Sequence, residues 1–180
     1  MGIQLHLAGL SLSNTKQYFE TLGVDRSRTA VHDWVEKADL QPASGSAPSQ
    51  VAVDETVIQL DDGRRWLYAA VDPETNQFLH VRLFATRITQ LTVLFVCELR
   101  DQQHVDDATV LVDVAPHLTA ALDRLGRRFR IRRHGNRNSI ERILREVKRG
   151  ISSSSNTFSN ARAKTAESWL QAFARWWNRC

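Results

Sequence analysis

Three carboxylates stand at positions that sheets and helices use for chemistry: Asp54, Asp113 and Glu141. Asp54 lies within a strand-like run, after Val51-Ala52-Val53 and before Val57-Ile58. A carboxylate inside an apolar strand costs several kcal/mol unless a partner holds it. Asp113 follows Val110-Leu111-Val112, at the C-terminal end of a short apolar strand, where α/β sheets place functional groups. Two aspartates side by side repel unless a cation separates them, and Mg2+, which prefers hard oxygen ligands, suits such a pair. Glu141 shares a helical face with Arg145 and Lys148 at i+4 and i+7, while Ile140, Ile143, Leu144 and Val147 supply the buried side. Taken alone, Glu141 would be an exposed ion pair with Arg145, worth about 0.3–0.5 kcal/mol. With the two aspartates in place, it becomes the third oxygen donor of a metal site facing a phosphate.

The remaining acids have simpler places. Glu55 alternates to the face opposite Asp54, Asp61 and Asp62 belong to a hairpin turn, and Asp72 precedes a proline in another turn. Asp106 and Asp107 fall in a loop, and Glu146 points away from Glu141. The six histidines form no HxxxH or His/Cys cluster, which argues against zinc. His117 opens a helix, and both it and His134 lie near enough to the proposed site to reach DNA. No G-x-S-x-G, P-loop or G-x-G-x-x-G is present, so serine hydrolase, NTPase and dinucleotide chemistries are set aside.

These residues need a scaffold to bring them together. Val51–Leu60, Arg65–Val71 and Gln77–Phe84 read as three strands joined by the turns Asp61-Asp62-Gly63 and Asp72-Pro73-Glu74-Thr75-Asn76. A helix over Thr89–Arg100 follows, with Leu91, Leu94, Phe95 and Leu99 on one side. Thr109–Val112 is a fourth strand, Pro116 opens a helix closed by Gly126, and Phe129–Arg132 is a fifth strand. Helices over Ser139–Arg149 and Ala166–Trp177 complete the chain. A three-strand meander followed by alternating helices and strands is the order of the ribonuclease H-like fold, a mixed five-stranded α/β sheet covered on both faces. In that topology the first and fourth strands are neighbours, which brings Asp54 beside Asp113.

The segment before the sheet is different. Residues 41–50 are uncharged, with two prolines and a Gly-Ser centre, and read as a linker or extended loop between segments 1–40 and 51–180. Tyr18, Phe19 and Leu22, then Val31, Trp34 and Val35, mark two short helices. Ser13 or Asn14 caps the first, Gly23 sits in the turn, and Asp25 or Ser27 caps the second. The pair is a small helix-turn-helix candidate with Arg26, Arg28, His32 and Lys37 near its second helix; the alternative is a packing unit with no DNA contact.

Composition agrees with a chain that acts on a polyanion. Its 180 residues are 42% hydrophobic and 24% charged, enough for a buried core, and no uncharged apolar run reaches the length of a membrane span. Two cysteines exclude a disulfide scaffold, and the N-terminal residues lack a secretory pattern, which points to the cytoplasm. The net charge of +4 is unevenly spread: residues 51–120 carry eleven acids and five bases, residues 121–180 four acids and fifteen bases. Twenty of the 24 cations are arginine, whose planar fork suits phosphate.

Three blocks carry a resemblance. Val53-Asp54-Glu55-Thr56, Leu111-Val112-Asp113-Val114-Ala115-Pro116 and His134-Gly135-Asn136-Arg137-Asn138-Ser139-Ile140-Glu141-Arg142 resemble the signature blocks of DDE transposases, and of these the insertion sequence 6 family. Leu10-Ser11-Leu12-Ser13-Asn14-Thr15 and Val31-His32-Asp33-Trp34-Val35 extend the resemblance toward the N-terminus, where the chain begins almost at the helix-turn-helix and reads as an N-terminally shortened member. The resemblance implies that Asp54, Asp113 and Glu141 are catalytic metal ligands for two Mg2+ ions, with Mn2+ able to replace them. It implies terminal inverted repeats and target DNA as partners, a homodimer on paired ends, and replicative cointegrate transposition in a prokaryotic, nucleoid-associated setting. Arg137, Arg142, Arg145, Lys148 and Arg149 would face phosphates, with salt-dependent affinity. Two other readings remain at this point: a catalytically silent remnant that occupies transposon ends as a repressor, and a nuclease of the same fold with no strand joining.

Overall fold

The computed structural model describes residues 1–38, 40–131, 138–153, 158 and 162–179. Three helices come first: α1 (Gly2–Leu7), α2 (Leu12–Thr21) and α3 (Arg28–Lys37). The cap of α2 is Ser11, whose hydroxyl accepts from Asn14 N at 3.1 Å, and not Ser13 or Asn14. Ser27 caps α3 by accepting from Ala30 N at 3.0 Å. Phe19 and Trp34 meet edge to face, with centroids 6.0 Å apart. Gly2 of α1 packs so tightly on both rings that a Cβ there would sit 2.8 Å from each.

The meander follows as β1 (Gln50–Leu60), β2 (Gly63–Asp72) and β3 (Gln77–Phe84). Next come α4 (Thr89–Gln102), β4 (Thr109–Val112), α5 (Pro116–Arg124) and β5 (Phe129–Ile131). The chain closes with α6 (Asn138–Ser153) and α7 (Ala163–Trp177). The sheet order is β3-β2-β1-β4-β5, antiparallel across β1–β2–β3 and parallel across β1–β4–β5. The expected Arg132 at the end of β5 lies outside the described residues.

Alternation along the strands sorts the core into two layers. Val51, Val53, Tyr68, Ala70, Val110 and Val112 face Phe95, Val96 and Leu99 of α4 and Leu118 and Leu122 of α5. The buried stripe of α4 runs through Thr92, Phe95, Val96 and Leu99; Leu94, expected inside, is 43% exposed. Ala52, Leu67, Ala69, Val71 and Leu111 face α6 and α7, and Leu7 and Val35 of the N-terminal helices join this same cluster. Helices α1 and α3 therefore dock on α7, with α2 packed on both of them, and Thr165 also donates to Glu36 at 2.7 Å.

Residues 41–49 are pinned against the end of α4. Buried Gln103 donates to Ala43 O at 2.8 Å and Leu79 O at 3.0 Å, and its Oε1 accepts from Ser46 N at 2.8 Å. The outer edge of β3 is closed by α7. Asn178 accepts from Phe78 N and donates to Phe78 O, both at 2.7 Å, and Glu167 accepts from Leu83 N at 3.1 Å. The turn between β2 and β3 holds Asn76 at φ 59°, its side chain accepting from Arg142 at 2.5 Å and its carbonyl from Trp177 Nε1 at 2.9 Å. Among the described residues no helix is long and apolar enough to cross a membrane.

Candidate active site

The parallel register of β1 and β4 sets two of the three carboxylates. Val51 pairs with Val110 and Ala52 with Leu111. Two residues beyond the last of these pairs stand Asp54 on β1 and Asp113 after β4, and the two-residue side-chain period puts position 54 on the face of Ala52, toward the α6 layer. Asp113 lies just beyond the last residue of β4. Each aspartate is held by the amide that follows it: Asp54 Oδ1 accepts from Glu55 N at 3.0 Å and Asp113 Oδ1 from Val114 N at 2.6 Å.

The third carboxylate comes from α6, which lies across β1 and β2. Ile140, Ile143, Leu144 and Val147 are all at most 5% exposed, as the helical stripe requires. Burying that stripe rotates Glu141, Arg145 and Lys148 to the side that faces β1. There they line one cleft of about 260 Å3 together with Asp54, Glu55, Thr56 and Leu144. Acidic residues from two elements thus line the same small space as a lysine and an arginine, and Asp113 is not among the residues that line it. Hard oxygen donors beside cations suit a divalent ion that bridges protein and phosphate.

The other predicted contacts are dispersed. Arg145 and Lys148 stand in the cleft. Arg142 turns to Asn76 at the β2–β3 turn, and Arg149 pairs with Glu146 at 2.5 Å. Arg149 and Glu146 line a separate cavity of about 350 Å3 with the end of α1 and the aromatic end of α7. Arg28, His32 and Lys37 are on α3, preceded by Arg26, whose guanidinium donates to Asp25 O at 2.9 Å. Lys37 pairs with Asp33 at 3.6 Å, and His32 Nδ1 lies 3.7 Å from Asp33 and 3.8 Å from Glu36. Arg137 and His134 lie outside the described residues.

The opposite face of the sheet holds what the sequence reading passed over. Glu55 does alternate away from Asp54, and its side chain is only 5% exposed. Its Oε1 stands 3.1 Å from His117 Nε2 and 3.3 Å from Arg87, which stacks over the Trp66 ring. Burial pushes the Glu55 carboxyl above the usual range, with Arg87 opposing the shift and the charge of Asp113 adding to it. Burial likewise lowers His117, aided by Arg87. His117 opens a helix as expected, and its ring lies beside Glu55 and the edge of Tyr68. The available signal was the parity of β1: position 55 follows Val51 and Val53 into a buried layer, and a buried acid needs a cationic or donor partner.

A mixed five-stranded sheet of this order, flanked by helices, is the ribonuclease H-like fold of integrase catalytic cores, and a DDE domain on it supports a nuclease or polynucleotidyl transferase. Residues 48–177 match the model of the DDE domain of IS240-type transposases, and the chain belongs to that family. It is 28% identical over 178 residues to the uncharacterized protein MJ0017 of Methanocaldococcus jannaschii, covering 97% of this chain and 82% of the relative. Among solved structures it is similar to the catalytic core domain of BIV integrase, at a TM-score of 0.51 and 12% identity, over 71% of this chain and 82% of that one. A catalytic core of HTLV-2 integrase in complex with magnesium superposes at a TM-score of 0.47 and 12% identity, over 72% and 85% of the two chains.

Proposed function

We propose that this protein is a DNA transposase of the insertion sequence 6 family that nicks the terminal inverted repeats of its element and joins the freed 3′ end to target DNA. One observation carries the reading: Asp54 and Glu141 line one cleft with Arg145 and Lys148. Asp54, Asp113 and Glu141 would hold two Mg2+ ions, or Mn2+ in their place. Held there, divalent ions would supply a lowered pKa for a water or hydroxyl and positive charge beside a phosphoryl group. The carboxylates orient and hold; they attack nothing themselves. Lys148 and Arg145 anchor the scissile phosphate against the cleft wall, and their charges favour the transition state, in which phosphate oxygens gain charge.

The N-terminal helices, with Arg26, Arg28, His32 and Lys37, form the candidate end-reading segment over residues 1–40, joined through 41–50 to the catalytic core of 51–180. Arg137, Arg142 and Arg149 add phosphate contacts, and a homodimer on paired ends in the prokaryotic cytoplasm, at the nucleoid, would make the cointegrate. The test is a nicking and strand-transfer assay on a labelled terminal-repeat duplex with Mg2+, comparing wild type with Asp113→Asn. Nicking and joining should fall by at least three orders of magnitude in the variant while duplex binding persists. Nicking that survives the substitution overturns the triad, binding without nicking in the wild type favours a repressor, and nicking without joining favours a simple nuclease.

A further inference from the structure

Two concave sites flank α6. The cleft of Asp54 takes Glu141, Arg145 and Lys148 from this helix, and the cavity of about 350 Å3 takes Glu146 and Arg149. At about 100° per residue, Glu141, Arg145 and Lys148 share an arc of about 60°, with Arg149 and then Glu146 on the arc beside it. Lys148 and Arg149 are consecutive, so cations line α6 from one site to the other. The crossing is about 10–12 Å, the width of a helix, or about three nucleotides at about 3.4 Å each.

The cavity is built from fixed parts. Phe173, Trp176 and Trp177 of α7 form its aromatic wall. Phe173 stacks on buried Trp169 at 5.3 Å and on Trp177 at 6.1 Å, and Trp177 Nε1 donates to Asn76 O at 2.9 Å. The loop after α1 supplies the rest, with Gly9 at φ 105° and buried His6 donating from Nδ1 to Leu10 O at 2.8 Å. Walls already ordered lose little freedom when a ligand enters. Arg149 pairs with Glu146 at 2.5 Å, yet its side chain is 77% exposed and its guanidinium has further N–H donors to offer a phosphate.

We propose that this cavity takes one unpaired nucleobase of the DNA end, a few nucleotides from the scissile phosphate, with its face on Trp176 and its phosphate on Arg149. This rests on the reading of the chain as a DNA-nicking enzyme given above. Aromatic rings beside a cation are the kind of surface on which single-stranded nucleic acid stacks. Glu146 accepts from base N–H groups, whereas an apolar side chain in the cavity would strip water from Glu146 and Arg149 and return no hydrogen bond. A paired base cannot enter, so the nucleotide must leave its stack, and a mismatch lowers the cost of doing so.

The experiment uses the full chain on the terminal-repeat duplex, with 5-iodouracil placed singly at each position within about five nucleotides of the nick, irradiation and peptide mapping. Expected is a crosslink to Trp176 from one position on one strand. Mismatching that position should tighten binding at least threefold in wild type and in Trp176→Phe, and should leave Trp176→Leu unchanged. A merely structural role for Trp176 would change overall affinity but not this difference between duplexes. Melting temperatures identify a variant that has lost its fold; if Trp176→Leu has, Trp176→Met takes its place with the same expected loss. A bound duplex that gives no crosslink to the cavity, or an equal mismatch effect in the leucine variant, overturns the pocket. The nicking reading then still stands where wild type cuts this duplex with Mg2+ and Asp113→Asn does not. A dimer that Trp176→Leu dissolves, with the mismatch effect intact, gives the cavity to a second copy and overturns the proposal. A wild type that does not bind the duplex overturns both.

Discussion

Replacing Gln103 by leucine should cost this protein about 3 kcal/mol of stability, from three lost hydrogen bonds at about 1 kcal/mol each. Gln103 is 2% exposed and serves three backbone groups at once: Ala43 O, Leu79 O and Ser46 N, at 2.8, 3.0 and 2.8 Å. Leucine fills nearly the same volume, so no large cavity forms and the change isolates the polar contribution. Two carbonyls and one amide lose their partner, and those near the surface regain water, which holds the loss near the lower end of the range for unsatisfied groups. The measurement is urea denaturation followed by tryptophan fluorescence, with five tryptophans in the chain, Trp169 among them buried in the α7 layer. Amide exchange at Ser46 should accelerate more than exchange in β1, because the loop loosens before the sheet does. A loss below about 1 kcal/mol with Ser46 protection unchanged would refute the claim that this side chain holds the loop.

Two further outcomes follow from buried groups and from one turn. Burial lowers the pKa of His6 and of His80, so the folded chain binds fewer protons there than the unfolded chain. Stability should therefore rise with pH up to about 6.5 and fall as acidification charges these rings in the unfolded state; urea midpoints at pH 5.5 and 7.5 check the sign, and His80→Gln should flatten part of the slope. At Asn76, with φ 59°, both Asn76→Gly and Asn76→Ala remove the acceptor for Arg142. Alanine should be the worse by about 1 kcal/mol, the cost of a Cβ in left-handed backbone, and equal stabilities in thermal melts would contradict that account.

How far the residue pattern reached depends on range. The meander was legible because its turns, Asp61-Asp62-Gly63 and Asp72–Asn76, stop each strand within a residue or two of the observed end. β4 was legible from its four apolar-leaning residues and the aspartate that follows. α1 was not, since six residues beginning at a glycine carry no periodic signal, and Gly2 is explained only by the rings of Phe19 and Trp34 it packs against. The cap of α2 was misplaced by two residues because Ser11 and Ser13 are equivalent as local signals, and the side chain that docks decides between them. Parity along β1 put Asp54 and Glu55 on opposite faces, which holds. It could not reveal that Glu55 stands beside His117, 62 positions along the chain, or that Gln103 pins a segment that reads as a linker or extended loop.

The closure of β3 by α7 bears on how copies of this chain can assemble. Phe78 and Leu83 offer backbone groups on the sheet's outer rim, and Asn178 and Glu167 already occupy them. A neighbouring strand arriving at that rim would have to displace Asn178 and Glu167 before it could bond to Phe78 or to the amide of Leu83. Sheet extension is thereby hindered at both ends of this strand. A second copy that used these positions would first have to loosen the end of α7, so helical surfaces and the short β5 side offer the easier ground for self-association.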